Sequence, residues 1–400
     1  MLKVSKLAAS VPPSATLAAG AKAKQLQASG IAVCDFSLGE PDQPTPEHIA
    51  RAAAEAVRAG HTHYTPVSGI PELRAAIAQW YRRLYGYDVD PARVVVTNGA
   101  KHAIHNGLTA TVGPGDEVVI PTPYWVSYGD MVAMTGAKPV LVPTTIESGF
   151  RMTPKQLRGA ITRRTRLLML NSPCNPTGTV YPRGELEALA DVVLDSDAGI
   201  LSDEIYEQMC YGDAKGTCVA ALRPELAERT ITVSGASKSF AMTGWRMGWA
   251  IAPAEIAAAM TNVQSQEMGC PSSVGQHALL AALEGPQDCV AAMRREYAAR
   301  RDIVLRRLQA IPGVKVHVPQ GTFYVFFDVS HYFGRPIHGQ TVTNSAEFCD
   351  AALETAHVNF VPGSAFGAEG FVRMSYACSR DVIERGLDQF EAWLAGRLKP

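Results

Sequence analysis

Lys238 follows a short β-branched run, Thr230-Ile231-Thr232-Val233, and stands among small residues in Ser234-Gly235-Ala236-Ser237-Lys238-Ser239. Arg246 lies eight positions further on. A lysine just past a buried strand can be desolvated, which lowers its pKa and makes it a nucleophilic amine able to form a Schiff base. An arginine can grip a phosphate in a planar, two-pronged contact. An aldehyde cofactor with a phosphate tail uses both groups, which points to pyridoxal 5'-phosphate (PLP).

Other polar residues stand where apolar runs end. Asp203 closes Ala198-Gly199-Ile200-Leu201-Ser202 and is followed by Tyr206. A carboxylate there can hold a pyridine nitrogen protonated, or it can simply cap the next helix. The Tyr206 hydroxyl could reach the phenolic oxygen of such a ring. Asn175, in Asn171-Ser172-Pro173-Cys174-Asn175-Pro176-Thr177-Gly178, either donates to that same oxygen or belongs to a rigid turn. Trp125 offers a planar face for stacking, or fills the core. Gly99-Ala100-Lys101, between strand and helix, reads as an anion-binding helix N-terminus or as a plain turn. Arg373, inside the apolar Phe371-Val372-Arg373-Met374-Ser375-Tyr376, needs an anionic partner. That partner is an internal carboxylate or the α-carboxylate of a substrate. His61 with His63, and His102 with His105, have no cysteine or carboxylate at ligand spacing, so they read as solvated or core histidines and no metal site is predicted.

These residues must be positioned by a sheet. Val94–Thr97, Glu117–Ile120, Leu167–Leu170, Ala198–Ser202, Ile231–Val233 and Gly248–Ile251 are continuous apolar runs separated by helical patterns. Such runs predict an α/β fold with a mostly parallel sheet covered on both faces, and ligands bind beyond the carboxyl ends of its strands. After about residue 290 a long charged helix, Arg294 to Leu308, leads into strand-like Thr322–Val329, Asn359–Val361 and Val372–Tyr376. The expected division is a large domain over 46–290 and a smaller α/β domain built from 1–45 and 291–400.

The 400 residues carry 47% hydrophobic and 19% charged side chains with a net charge of -1, which describes a globular protein with no electrostatic footprint for nucleic acid or an anionic membrane. The eight cysteines form no CxxC pair and read as reduced thiols of a cytoplasmic protein. No apolar run reaches the ~18 residues of a membrane span. The basic start Met1-Leu2-Lys3 is followed by an apolar stretch cut short at Pro12-Pro13, so it does not read as a signal peptide.

Taken in order, these motifs resemble the class I/II aminotransferases of PLP fold type I over nearly the whole chain, most of all the bacterial aspartate (aspartate/prephenate) aminotransferase subgroup. The resemblance rests on Gly39-Glu40-Pro41-Asp42, Tyr64 to Arg74, Pro123 to Tyr128, Asn175-Pro176-Thr177-Gly178, Ser202 to Tyr206, the stretch around Lys238 and Val372 to Tyr376. It implies that Lys238 is the Schiff-base lysine and proton shuttle. Asp203 pairs with the pyridine nitrogen, Tyr206 and Asn175 bond the phenolic oxygen, and Trp125 stacks on the ring. Gly99, Ala100, Lys101 and Arg246 hold the phosphate. Tyr64 reaches the phosphate of a neighbouring subunit, which makes the active unit a homodimer. Gly39 and Arg373, with Asn175 and Trp125, bind the substrate.

The resemblance also implies that Thr16 and Lys101 bind a distal carboxylate, and hence that aspartate and 2-oxoglutarate are the substrates in a ping-pong transamination. Glu267, in Ser265-Gln266-Glu267-Met268-Gly269, is expected to repel such a substrate. Gly235 stands three residues before the lysine, where many members carry a hydroxyl, leaving Ser234 or Ser237 as substitutes. Alternatives on the same fold are an aminotransferase for aromatic, aliphatic or prephenate/arogenate substrates, and a carbon–sulfur β-lyase. A PLP-binding transcriptional regulator is disfavoured, because the motifs begin by Gly39 and no helix-turn-helix segment precedes them.

Overall fold

The computed structural model describes residues 2–398. Strands are labelled β1 (Cys34–Asp35), β2 (Val94–Asn98), β3 (Glu117–Thr122), β4 (Lys138–Pro143), β5 (Thr165–Asn171), β6 (Gly199–Asp203), β7 (Thr230–Gly235), β8 (Met247–Ile251), β9 (Lys315–Val316) and β10 (Tyr324–Asp328). Seven of them form one sheet in the order β2-β8-β7-β6-β5-β3-β4. Pairings among β7, β6, β5, β3 and β4 are parallel, while β8 runs antiparallel to both β7 and β2. Strand β2 therefore points the same way as the parallel set.

The continuous apolar runs are explained by burial on both faces. Val118, Ile120, Leu167 and Met169 pack into one core layer, while the alternating Val119, Leu168 and Leu170 pack into the layer on the other side. Each such side chain contributes about 1.5–3 kcal/mol when fully buried. Polar residues are thereby driven to the strand ends, where hydrogen bonds can satisfy them.

Strand β4 was not among the predicted runs. It is an edge strand, mostly part-exposed, and carries Pro139 and Pro143. Proline is tolerated there because an edge strand has a free hydrogen-bonding side.

A second, antiparallel sheet takes the order Val361–Pro362, Phe371–Ser375, β10, β9. It follows the 22-residue helix Asp288–Gln309. The N-terminal segment joins this end of the chain: β1 pairs in parallel with Val358–Asn359, and Ala23 and Val33 pack on Leu353. The helix Ala15–Ala28 is tied down on one side by the Lys22–Asp350 ion pair and by an Asn359 amide donating to the Ala19 carbonyl. One large core runs without a break from Trp80 and Trp249 to Phe390 and Trp393. Among the described residues no helix is long and apolar enough to cross a membrane.

Candidate active site

Because β2, β3, β5, β6 and β7 point one way, the loops after them leave from a single edge of the sheet. Strand β8 runs the other way, so its start at Met247, just after Arg246, lies on that edge too. A cavity of about 630 Å³ opens there. It is lined by Thr16, Gly39, Ala100, Lys101, Trp125, Asn175, Asp203, Tyr206, Lys238, Arg246 and Arg373. Two of the residues named from sequence lie elsewhere. Gly99 is not in the lining but packs closely against the Arg246 guanidinium, which is, and Tyr64 is 97% exposed and does not line the cavity of its own chain.

Lys238 belongs to the four-residue helix Ala236–Ser239 that follows β7 directly. Its Nζ donates to the Gly39 carbonyl at 2.5 Å and lies 5.8 Å from the Tyr206 ring. Burial brings its pKa down to about 8; Arg373 and Arg246 add to the shift, while Glu40 and Asp203 oppose it. The sharp turn needs Gly235, since a Cβ there would sit 2.8 Å from the Met247 carbonyl and 3.0 Å from Gly248 Cα. Of the two candidate serines, Ser237 lines the cavity, whereas buried Ser234 donates to a Glu207 carboxyl oxygen at 2.9 Å.

Asp203 ends β6 and is buried. Its Oδ2 accepts from the Tyr128 hydroxyl at 2.6 Å, and its Oδ1 accepts from the Ile205 amide at 3.2 Å. Burial raises its pKa to about 6 despite both hydrogen bonds and Lys238. A protonated ring nitrogen placed against it would favour the ionised form.

The end of the cavity beside Arg246 is a cradle of small residues. Gly99, at φ 84°, caps the helix Ala100–Thr111. A Cβ on Gly99 would lie 2.4 Å from an Arg246 guanidinium nitrogen, and one on Gly248 would lie 2.4 Å from the Ala100 amide. Arg246 itself holds a left-handed backbone, φ 55°, and donates to the Thr243 carbonyl at 2.8 Å. Lys101 Nζ lies 4.8 Å from the Trp125 ring centre, and burial with the Arg246 charge lowers its pKa.

Arg373 is fully enclosed within the strand Phe371–Ser375. One guanidinium nitrogen donates to Asn175 Oδ1 at 3.0 Å and another to the Ser37 carbonyl at 2.8 Å. Its Nε is buried with no partner among the described residues. Its guanidinium carbon lies 4.4 Å from the Tyr324 ring centre. The internal-carboxylate alternative is thereby removed: Arg373 faces neutral oxygens and aromatic rings, and burial lowers its pKa.

Two contributors escaped the sequence reading. Tyr128, on the helix Ser127–Met134, is buried against Asp203; Tyr324, on β10, lines the cavity with its hydroxyl 3.0 Å from that of Tyr206. Tyrosines in apolar elements look like core, and Tyr128 was visible only as the last residue of the Pro123–Tyr128 motif. Glu267 also needs correction. It does not line the cavity of its own chain; it pairs with His105 at 2.9 Å and His102 at 3.5 Å. The expected repulsion is therefore absent within one chain, and the two histidines, read as lacking a carboxylate, have one.

A buried carboxylate, a depressed lysine, an anion cradle that a methyl group would fill and an orphaned arginine nitrogen together fit PLP and a substrate carboxylate. The family profile described as aminotransferase class I and II matches residues 31–390. The chain belongs to this family. It is 44% identical over 396 residues to the aspartate aminotransferase of Geobacillus stearothermophilus, covering 99% of this chain and 100% of that one. It is 43% identical over 398 residues to the aspartate/prephenate aminotransferase of Cereibacter sphaeroides, again with 99% and 100% covered. The crystal structure of the Rhizobium meliloti aspartate aminotransferase superposes with a TM-score of 0.96 at 41% identity over all of both chains. That of the Thermus thermophilus enzyme with maleate gives 0.92 at 41% identity, covering 98% of this chain and 100% of the other. The protein is a PLP-dependent aminotransferase on the expected fold.

Proposed function

We propose that this aminotransferase takes aspartate as amino donor and 2-oxoglutarate as acceptor in a ping-pong cycle. The observation that carries this reading is a pair of cationic anchors in one cavity, Arg373 with its free Nε and Lys101 beside Trp125. A dicarboxylic amino acid has one carboxylate for each. Relatives named aspartate aminotransferase, and a neighbour solved with the dicarboxylate maleate, support the same choice.

In this reading Asp203 faces the ring nitrogen, Tyr206 and Asn175 the phenolic oxygen, and Trp125 the ring face. The Gly99-Ala100-Lys101 amides, Ser237 and Arg246 take the phosphate. Bound there, PLP supplies an electron sink for the substrate α-carbon. Lys238 would anchor the cofactor, and its amine would serve as the base that takes and returns the substrate's α-proton. The amine suits this task because burial leaves it partly neutral near pH 8. Gly39, whose carbonyl already accepts from Lys238, stands beside Arg373's end of the cavity and completes the α-carboxylate site. Thr16 flanks the distal carboxylate with Lys101.

The active unit is a homodimer in this reading, with Tyr64 reaching the partner's phosphate; its exposure and absence from its own cavity support this. The division into 46–290 and 1–45 with 291–400 is supported by the pairing of β1 with Val358–Asn359. The eight free thiols fit a cytoplasmic setting.

The test is a half-reaction screen, in which purified holoenzyme is mixed with single amino acids and the visible cofactor absorbance is followed. Aspartate and glutamate are expected to deplete it far faster than alanine, leucine or tyrosine. Equal rates for alanine and aspartate would sink the dicarboxylate reading. Release of pyruvate, ammonia and a thiol from a cysteine S-conjugate added without an acceptor would mark a β-lyase instead.

A further inference from the structure

The helix Ala15–Ala28 contributes more to the cavity than Thr16. Leu17, Gly20, Ala21 and Lys24 line it as well, at the helical spacing of one face. Eight residues separate Thr16 from Lys24, a rise of about 12 Å at 1.5 Å per residue. Between them stand Gly20 and Ala21, whose small side chains leave the wall open. Lys22 leaves the helix on another face and is neutralised by Asp350 at 2.5 Å. Lys24 is exposed and makes no ion pair among the described residues.

The cavity as a whole is cationic. Lys24, Lys101, Lys238, Arg246 and Arg373 line it, against the carboxylates of Glu40 and Asp203. A cleft of one sign draws oppositely charged ligands inward, and the field is strongest where the wall excludes water. Lys24, Lys101 and Arg246 are exposed at the cavity, and Lys24 is the one that the helix Ala15–Ala28 contributes, on the wall opposite the sheet edge.

We propose that Lys24 is a specificity-determining residue that draws dicarboxylic substrates into the cavity and favours them over monocarboxylic ones. This rests on the dicarboxylate reading above. It adds to the anchor at Lys101 a second, outer cation on a different element. The added charge acts on a substrate with two negative charges more than on one with a single carboxylate balanced by its own ammonium. It acts on capture rather than on the proton transfer, which occurs deeper, at Lys238.

The experiment compares wild type, Lys24→Ala, Lys24→Glu and Lys22→Ala as holoenzymes. It measures kcat and KM for aspartate, glutamate and alanine at low salt and at high salt. Lys24→Ala is expected to lower kcat/KM for aspartate and glutamate by roughly three- to ten-fold at low salt, mainly through KM, with Lys24→Glu lowering it further. The loss should shrink at high salt, where charges are screened. Alanine should change by less than two-fold, roughly the precision of such a comparison. Lys22→Ala removes the same charge from the same helix and should leave the aspartate preference intact. An equal loss for alanine and aspartate, a salt-independent loss, or no loss in Lys24→Glu would overturn the proposal. If wild type itself shows no preference for dicarboxylates, the underlying reading fails instead, and the two outcomes are distinct.

Discussion

The Tyr128 hydroxyl donates to Asp203 Oδ2 across 2.6 Å inside the core, so the carboxylate at the end of β6 is held by a residue 75 positions earlier in the chain. Burial works against the ionised form of Asp203, and this hydrogen bond is the largest influence opposing burial. A hydrogen bond to a charged group is worth about 1.5–3 kcal/mol.

Tyr128→Phe removes that bond and keeps the ring. The Asp203 pKa is then expected to rise above about 6, because the group favouring the charged form is gone. PLP should bind more weakly, and the acidic limb of the kcat/KM profile should move to higher pH. A loss of roughly ten-fold in kcat corresponds to about 1.4 kcal/mol of this interaction. Titration of apoenzyme with PLP and a pH–rate profile check both parts; an unmoved profile would show that Tyr128 merely fills space.

Lys238 gives a prediction with a definite sign. Burial holds its ammonium form in disfavour, so the neutral, reactive amine grows as pH rises through about 8. The rate at which apoenzyme takes up PLP should climb over that range and then level. In the cofactor-free protein the same shift means that the unfolded chain binds more protons than the folded one between about pH 8 and the usual lysine range. Stability from this group should therefore increase with pH there. Lys238→Ala is expected to cost at least roughly 10²–10⁴ in turnover, the range for loss of a positioned acid–base group. Near wild-type cycling of amino groups by that variant would remove Lys238 from its assigned role.

Much of the site could be read from the sequence because a strand buried on both faces must be apolar until it ends. Asp203, Asn175 and Lys238 stand out as polar groups just beyond such runs. Tyr128 and Tyr324 lacked that contrast, being aromatic residues among other apolar ones. Lys24 belongs to none of the sequence motifs and reaches the cavity only through the docking of its helix. Glu267 was misjudged for a related reason: its partner His105 is 162 residues away, and only the packing of Ala254–Glu267 on Ala100–Thr111 brings them together. Strand β4 broke the apolar rule by lying at the edge.

Gly235 and Ser237 divide two roles that a single residue could have filled. Restoring a hydroxyl by Gly235→Ser places Cβ within 2.8–3.0 Å of the Met247 carbonyl and Gly248 Cα, and backbone cannot yield as a flexible side chain does. Overpacking of this kind costs about 1–3 kcal/mol. Gly235→Ser is thus expected to lower Tm without strengthening PLP binding. Ser237→Ala should leave Tm nearly unchanged and weaken PLP binding by roughly ten-fold or more, about 1.5–3 kcal/mol for a hydrogen bond to a charged phosphate. Thermal melts with and without PLP separate the two; a tighter-binding Gly235→Ser would contradict the packing argument.

Arg373 and Lys101 should fail in different ways. The Arg373 guanidinium spends two donors on Asn175 and the Ser37 carbonyl and keeps a buried Nε without a partner. Those two contacts fix the plane of the fork, which a lysine cannot reproduce with a single point charge. Arg373→Lys therefore removes geometry while retaining charge, and kcat/KM should fall for every amino acid, by roughly 10²-fold if about 3 kcal/mol of charge-assisted bonding is lost. Lys101→Met keeps the bulk against Trp125 and removes the second cation. Its loss should be large for aspartate and glutamate and small for alanine. Steady-state kinetics of both variants on all three substrates give the decisive pattern. A loss in Lys101→Met that is the same for alanine would assign Lys101 to the cofactor phosphate alone and leave the distal carboxylate to other groups.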